Sequence, residues 1–395
     1  MSTTETYEAT TPPPPPALEV TARPGRPPGA WSLTWHGIRT VARLELRQRI
    51  RSTRWIVALV VFGAIVGGVT LLTWLVARTA VDPYSGTAAV GPTMFGFIVF
   101  FVLFLGLLVS PTLSATSING DRTAGTLATL QVTLLSPAEI VLGKLLASWV
   151  ASLAFLAVSV PFILWAFASG GTPVLAVVTT VLLLALLLAV VCAIGLGFSA
   201  LTARTSGSAV LTYISVASLS ILSLIVFGLT IPLVTAQEMV PTYQSDPDQD
   251  ASYQDKNGNW VEDYGPCVWT DERSPVVHTE RTWWLLAINP FVIVADAAPA
   301  PAVNESMGGS FDPLTGIRAG VRIARLGPPE TQDWCWQEQG DSYQPYPGYD
   351  EAGSLSPVWP WGLGANLLLG VVGVVVAVRR ITVPLRTLPK GTRVA

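Results

Sequence analysis

Charge is what this chain most lacks. Only 12% of its 395 residues are Asp, Glu, Lys or Arg, half are hydrophobic, and the mean hydropathy is +0.50. A soluble domain carries roughly twice that charged fraction, about 25%. Composition therefore excludes a water-soluble globule and points to an integral membrane protein. Histidine is nearly missing too, with only His36 and His278 in the chain. Most catalytic options go with it: there is no HExxH and no Cys/His set at zinc spacing, and no GxSxG elbow. Gly143-Lys144 resembles the end of a phosphate loop, but Ala138 stands where the partner glycine belongs and Leu145 where Ser/Thr belongs. ATP binding through a Walker motif is excluded. The acidic run from Asp246 to Glu262 misses the EF-hand register, because Gly258 would require a first ligand at Tyr253.

The apolar residues come in blocks. A hydrocarbon core of about 30 Å needs roughly 20 apolar residues in helix, and six windows qualify: Trp55–Val76, Met94–Ala115, Leu145–Ser169, Pro173–Leu201, Ala209–Ala236 and Val358–Val378. None contains Asp, Glu, Lys, Arg or His. The fold class expected is an all-α polytopic membrane protein of six transmembrane helices. Eight arginines between Arg23 and Arg54 precede the first window, and Arg379, Arg380, Arg386, Lys390 and Arg393 follow the last. The positive-inside rule then places both ends in the cytoplasm of a multi-pass plasma-membrane protein.

The charge-free windows bear on energetics. Pumps coupled to ion gradients usually hold ionisable residues inside the membrane, and these windows hold none. Any uphill transport must draw its work from outside the bilayer.

The expected organisation runs as follows. Residues 1–30, with prolines at 12–16, read as a disordered cytoplasmic leader without the apolar core of a signal sequence. Residues 31–54 read as an amphipathic interfacial helix, with Trp35, Ile38, Ala42, Leu46 and Ile50 on one stripe and Arg39, Arg43, Arg47 and Arg51 beside it. Spans one to five occupy 55–236, with a polar connector at 117–144 between the second and third. Residues 237–357 hold nineteen Asp/Glu against six Lys/Arg and form an acidic, loop-rich extracytoplasmic cap. Within the cap, 283–295 is apolar but too short to span, so it reads as a re-entrant, interfacial or buried core segment. The sixth span covers 358–379 and a cytoplasmic tail 380–395. In the first span Gly63 and Gly67 offer a small-residue packing face. Cys267 and Cys335 both fall in the cap, where an oxidising compartment favours a disulfide, stabilising it by roughly 4 kcal/mol in the chain-entropy model. Cys192 reads as an apolar filler.

The connector is the most informative stretch. Gly120-Asp121-Arg122 makes a polar break after the second span, and Ser136-Pro137-Ala138-Glu139 is a capping box with Pro at the first helical position. The helix so started runs through Gly143 and Lys144 into the third span. In Asp121, Arg122, Gly125, Thr126, Leu127, Leu130, Glu139, Gly143 and Lys144, the chain resembles the membrane subunits of type-2 ATP-binding-cassette exporters. Glu45-Leu46-Arg47 in the interfacial helix and Asn289-Pro290-Phe291 before the last span fit as well. The pattern departs at Asp121, Ala128 and Leu134, where the family usually has Glu, an acidic residue and Pro.

The resemblance implies a permease subunit, itself not an enzyme and needing no cofactor of its own. It would pair with a second permease copy or homologue and dock a cytosolic ATPase that binds the ATP; no nucleic acid is involved. It assigns coupling to Asp121, Arg122, Gly125, Thr126, Glu139 and Lys144, with Arg39, Arg43, Glu45 and Arg47 on the interfacial helix. Arg122 and Lys144 also read as plain positive-inside anchors. A competing class is a polytopic sensor or scaffold whose cap binds a ligand. A membrane enzyme built on His278, Asp271 and Glu280 lacks a nucleophile or metal set.

Overall fold

Long apolar runs satisfy their backbone polar groups in lipid only by closing them within a helix, and the computed structural model has six such helices among the described residues. The structure describes residues 29–80, 90–126, 135–246, 251–254, 260–263, 266–299, 313–333 and 355–382. An amphipathic helix, α1 (Trp35–Ile50), precedes the first span, α2 (Thr53–Ala80). The second span, α3 (Val90–Ser114), is followed by a separate short helix, α4 (Ser117–Thr123). The third and fourth spans are α5 (Pro137–Ala168) and α6 (Val174–Leu201). The fifth is composite: α7 (Thr205–Ala217), a π-helical turn at Ser218–Leu222, and α8 (Ser223–Thr230).

The strands β1 (Thr235–Ser245), β2 (Ala251–Gln254), β3 (Trp260–Asp263) and β4 (Cys267–Val277) come next. They lead to the short helices α9 (Trp284–Ala287), α10 (Pro290–Ala297) and α11 (Pro313–Leu326). A two-residue strand, β5 (Gln332–Asp333), and the sixth span, α12 (Trp359–Ile381), complete the order.

The second span is the hub. Residues of α3 such as Ile98 and Leu103 are fully enclosed by α2, α5 and α6, with Leu184 and Leu187 of α6 opposite. A second, smaller core gathers the other ends of these helices, joining Ile118, Val141, Leu196, Val378 and Ile381. Spans one and five are the least covered by the rest of the chain.

Three sequence expectations need correction. The insertion between spans five and six is not merely loops. Strands β1 and β4 form an antiparallel ribbon from Thr235↔Val277 to Ser245↔Cys267, so the all-α assignment holds for the spans but not for this region. Tyr243 and Trp269 face each other in that register with ring centroids 5.0 Å apart, the aromatic pairing that stabilises two-stranded ribbons. The fifth span stops at Leu233 rather than Ala236, because Thr235 already pairs in β1.

The second span breaks at Ala115-Thr116, earlier than the Gly120-Asp121-Arg122 turn. Groups around this break find side-chain partners: Ser199 Oγ accepts from the Ile118 and Asn119 N–H groups at 3.1 Å each, and Ser208 Oγ donates to the Ala115 carbonyl. Gly63 and Gly67 form a packing face as expected, and they pack within the chain. A Cβ on them would lie 3.0 Å from Val158 Cγ1 and 3.1 Å from the Phe162 ring, both on α5.

The apolar segment at 283–295 is a helical hairpin buried in the bundle. Asn289 caps α10, and its amide donates to Ser220 O at 2.7 Å, inside the π-helical turn of span five. Asn366 of α12 donates to Ile288 O at 2.9 Å, and Phe291 stacks on Phe100 with centroids 4.6 Å apart. Two buried amides thus tie this hairpin to spans five and six.

Candidate functional site

The connector residues meet α1 at the arginine-rich end of the bundle. The seat is made by two glycines. A Cβ on Gly143 would lie 2.6 Å from Val41 Cβ and 3.0 Å from Ile38 O, and one on Gly37 would lie 2.9 Å from the Glu139 carboxyl carbon. Their missing side chains let α1 cross the start of α5 at backbone distance. The face of α1 turned inward is Gly37, Val41, Glu45 and Arg49, at four-residue spacing. This differs from the apolar stripe read in the sequence. Trp35 and Ile50 of that stripe are exposed, at 69% and 60%, so they suit the membrane interface rather than the protein interior.

The capping box forms as expected. Ser136 Oγ accepts from Glu139 N at 3.1 Å, and Glu139 accepts from Ser136 N at 2.8 Å. The same carboxylate also accepts from Thr34 N at 2.7 Å and Thr34 Oγ1 at 2.6 Å. Thr34 is itself the N-cap of α1. One buried glutamate therefore starts two helices and clasps them together.

Lys144 is the centre of the site. Its side chain is wholly enclosed, and the ammonium bonds Asp121 Oδ2 at 2.6 Å, Glu45 Oε1, and Ser117 O at 3.2 Å. Three elements converge on it: α4 through Asp121, α5 through Lys144 and α1 through Glu45. A lysine so placed cannot be a head-group anchor, because it reaches no solvent. Arg49 extends the cluster: its Nη2 lies 3.8 Å from Glu45 and donates to Leu113 O at 2.9 Å and Ser148 Oγ at 3.3 Å. Burial lowers the Arg49 pKa, with Glu45 opposing it.

The remaining residues point outward. Arg122 is exposed in the last turn of α4, Gly125 and Thr126 are exposed just beyond it, and Arg39, Arg43 and Arg47 are exposed along α1. Gly125 ends α4 with φ +72, a left-handed conformation that favours glycine. Leu127 and Leu130 lie outside the described residues, as do Ala128 and Leu134. The sequence-predicted site thus divides: Glu45, Asp121, Glu139 and Lys144 form an internal clasp, and the others form a surface beside it. Cys335 also lies outside the described residues, so the Cys267–Cys335 pairing is not among the contacts described; Cys192 is a buried free thiol.

Sequence reasoning missed Arg49, Gly37 and Asn119. Asn119 is fully buried on α4 and donates to Thr202 Oγ1 at 3.0 Å, fastening the connector to the turn between spans four and five. The four-residue repeat of Gly37, Val41, Glu45 and Arg49 was a usable signal. Nothing local marks Asn119.

A family model described as ABC-2 family transporter protein matches residues 39–294. The match begins in α1, includes the whole clasp and ends in the buried hairpin. No curated protein matches the sequence.

Proposed function

The chain belongs to the ABC-2 family of transporter proteins, and on that premise we propose that it is the permease subunit of an ATP-driven exporter, powered by a separate cytosolic ATPase. The positive-inside rule favours the arginine-rich end, with both termini, as the cytoplasmic side. The ATPase docks on the exposed surface of Arg39, Arg43, Arg47, Arg122, Gly125 and Thr126. Two permeases pair, and nucleotide-driven movement of the ATPases opens a path between them. The β-ribbon region then faces outside. There β4 begins at Cys267, and β5 ends two residues before Cys335 in the same sheet, which supports the disulfide.

The observation that carries this reading is the enclosure of Lys144 between Glu45 and Asp121. A push on the turn after α4 displaces Asp121. The buried ion pair passes that displacement to α5 at Lys144 and to α1 at Glu45. Buried charges of this kind hold one register strongly, because breaking a pair strands an uncompensated charge. α5 is a single helix of 32 residues, about 48 Å at 1.5 Å per residue, so movement at its start reaches the far side of the bundle.

Co-purification tests the reading. The permease should bring down a Walker-motif ATPase and stimulate its hydrolysis. Gly125→Val with Thr126→Trp should abolish stimulation while leaving the spans folded. Vesicles holding this chain alone should not accumulate solute; uphill uptake by the lone chain refutes the proposal.

A further inference from the structure

Spans four, five and six enclose a groove of about 340 Å³ that opens sideways from the bundle. Its floor is made by two glycines: a Cβ on Gly197 of α6 would lie 2.8 Å from Gly373 Cα of α12. With both side chains missing, the two backbones touch and leave a trough. Phe198, Ile214, Val372 and Val376 form its walls. Ile214 and Val372 are 55% and 49% exposed, so the trough is open on its outer side. Its polar lining is already satisfied where Ser215 Oγ donates to its own helix at Leu211 O, 3.0 Å. A groove of this kind in a membrane-spanning bundle takes an apolar chain.

The groove face of α12 also has a charged continuation. Val372, Val376 and Arg380 follow at four-residue spacing, with Arg379 beside them, and both arginines are exposed. They lie three and four residues beyond Val376, or about 5–6 Å along the helix. Arg204 lies three residues beyond Leu201, the last groove residue of α6, and is exposed as well. Clusters of basic residues at the membrane edge attract anionic head groups.

We propose that this groove is a binding site for an anionic phospholipid, with an acyl chain between spans four, five and six and its phosphate at Arg379 and Arg380. The site holds whether or not the chain couples to ATP, because no residue of the clasp takes part in it. Size and charge act together: the trough selects a chain, and the arginine pair selects the head group. The lipid would also cover part of span five, one of the two spans that the rest of the chain covers least.

Native mass spectrometry of the full-length chain in neutral detergent tests this. The probes are phosphatidylglycerol and phosphatidylcholine with identical acyl chains, and glycerophosphate as the head group alone. Phosphatidylglycerol should be retained roughly thirtyfold better than phosphatidylcholine, as expected for two arginines near a head group, and glycerophosphate should not be retained. Arg379→Gln with Arg380→Gln should bring phosphatidylglycerol down to the phosphatidylcholine level without moving the unfolding temperature. Val372→Trp, at an exposed wall position, should reduce retention of both lipids. Equal retention of the two lipids by the wild-type chain overturns the proposal. So does a Val372→Trp chain that keeps its lipid but loses a dimer, since the groove would then be a contact between copies.

Discussion

Replacing Lys144 by methionine keeps an unbranched side chain one atom shorter and removes its charge. The ammonium is wholly enclosed, whereas its partners Glu45 and Asp121 retain 18% and 26% side-chain exposure. Opposite charges about 3 Å apart attract by about 5 kcal/mol at an effective dielectric near 20. Stranding one member of a fully buried pair costs roughly 3–5 kcal/mol. Because water reaches both carboxylates here, part of that cost is relieved, and we expect a loss of about 2–3 kcal/mol. Thermal unfolding of the purified protein in detergent should register a drop of several degrees. The diagnostic comparison is Lys144→Met combined with Glu45→Gln and Asp121→Asn. Removing both carboxylates with the lysine strands neither of them, but Arg49 keeps its charge while losing Glu45, 3.8 Å away, so the triple variant should regain part of the lost stability. Coupling should stay lost, because no ion pair then ties α4, α5 and α1 together. A Lys144→Met protein as stable as wild type would refute the electrostatic reasoning. A triple variant that stimulates a partner ATPase normally would refute the coupling role.

Other expectations follow from the same geometry. Glu139→Ala removes an acceptor of three hydrogen bonds that joins the starts of α1 and α5; the loss should be about 2–3 kcal/mol, with faster proteolysis at the start of α1. Gly143→Ala drives a methyl group to within 2.6 Å of Val41 Cβ, so stability should fall by about 1–3 kcal/mol, and Val41→Gly, which removes that Cβ, should relieve the clash. Asp296 is enclosed, pairs with Arg322 at 2.6 Å and accepts from Val358 N and Trp359 N at the start of α12. Asp296→Ala should cost about 3 kcal/mol, measured by thermal unfolding, because it strands the largely buried Arg322. His278 bonds Glu280 at 2.8 Å through Nδ1 and Glu238 at 3.0 Å through Nε2, and these hydrogen bonds raise its pKa above the usual 6.5. The imidazolium is the form held in the fold, so its stabilisation is complete below the ordinary pKa and disappears as pH rises through the elevated one. His278→Gln should flatten that part of the unfolding temperature against pH.

The six spans and the capping box at Ser136–Glu139 were legible from the residues alone. Each rests on local physics: twenty apolar residues leave the backbone no partner but itself, and Ser-Pro-Ala-Glu closes its hydrogen bonds within one turn. The sequence also marked Asp121, Glu139 and Lys144 as members of one connector. Which groups those residues meet emerged only on folding, because their partners lie far along the chain. Lys144 meets Glu45 across 99 residues and Glu139 meets Thr34 across 105. No periodicity within a helix encodes such a meeting. The Gly63 and Gly67 face was legible as a packing surface, but its choice of α5 depended on how the spans assemble. The β1–β4 ribbon was missed for the same reason: its stability lies in cross-strand pairs such as Tyr243 with Trp269, which only the folded chain brings together.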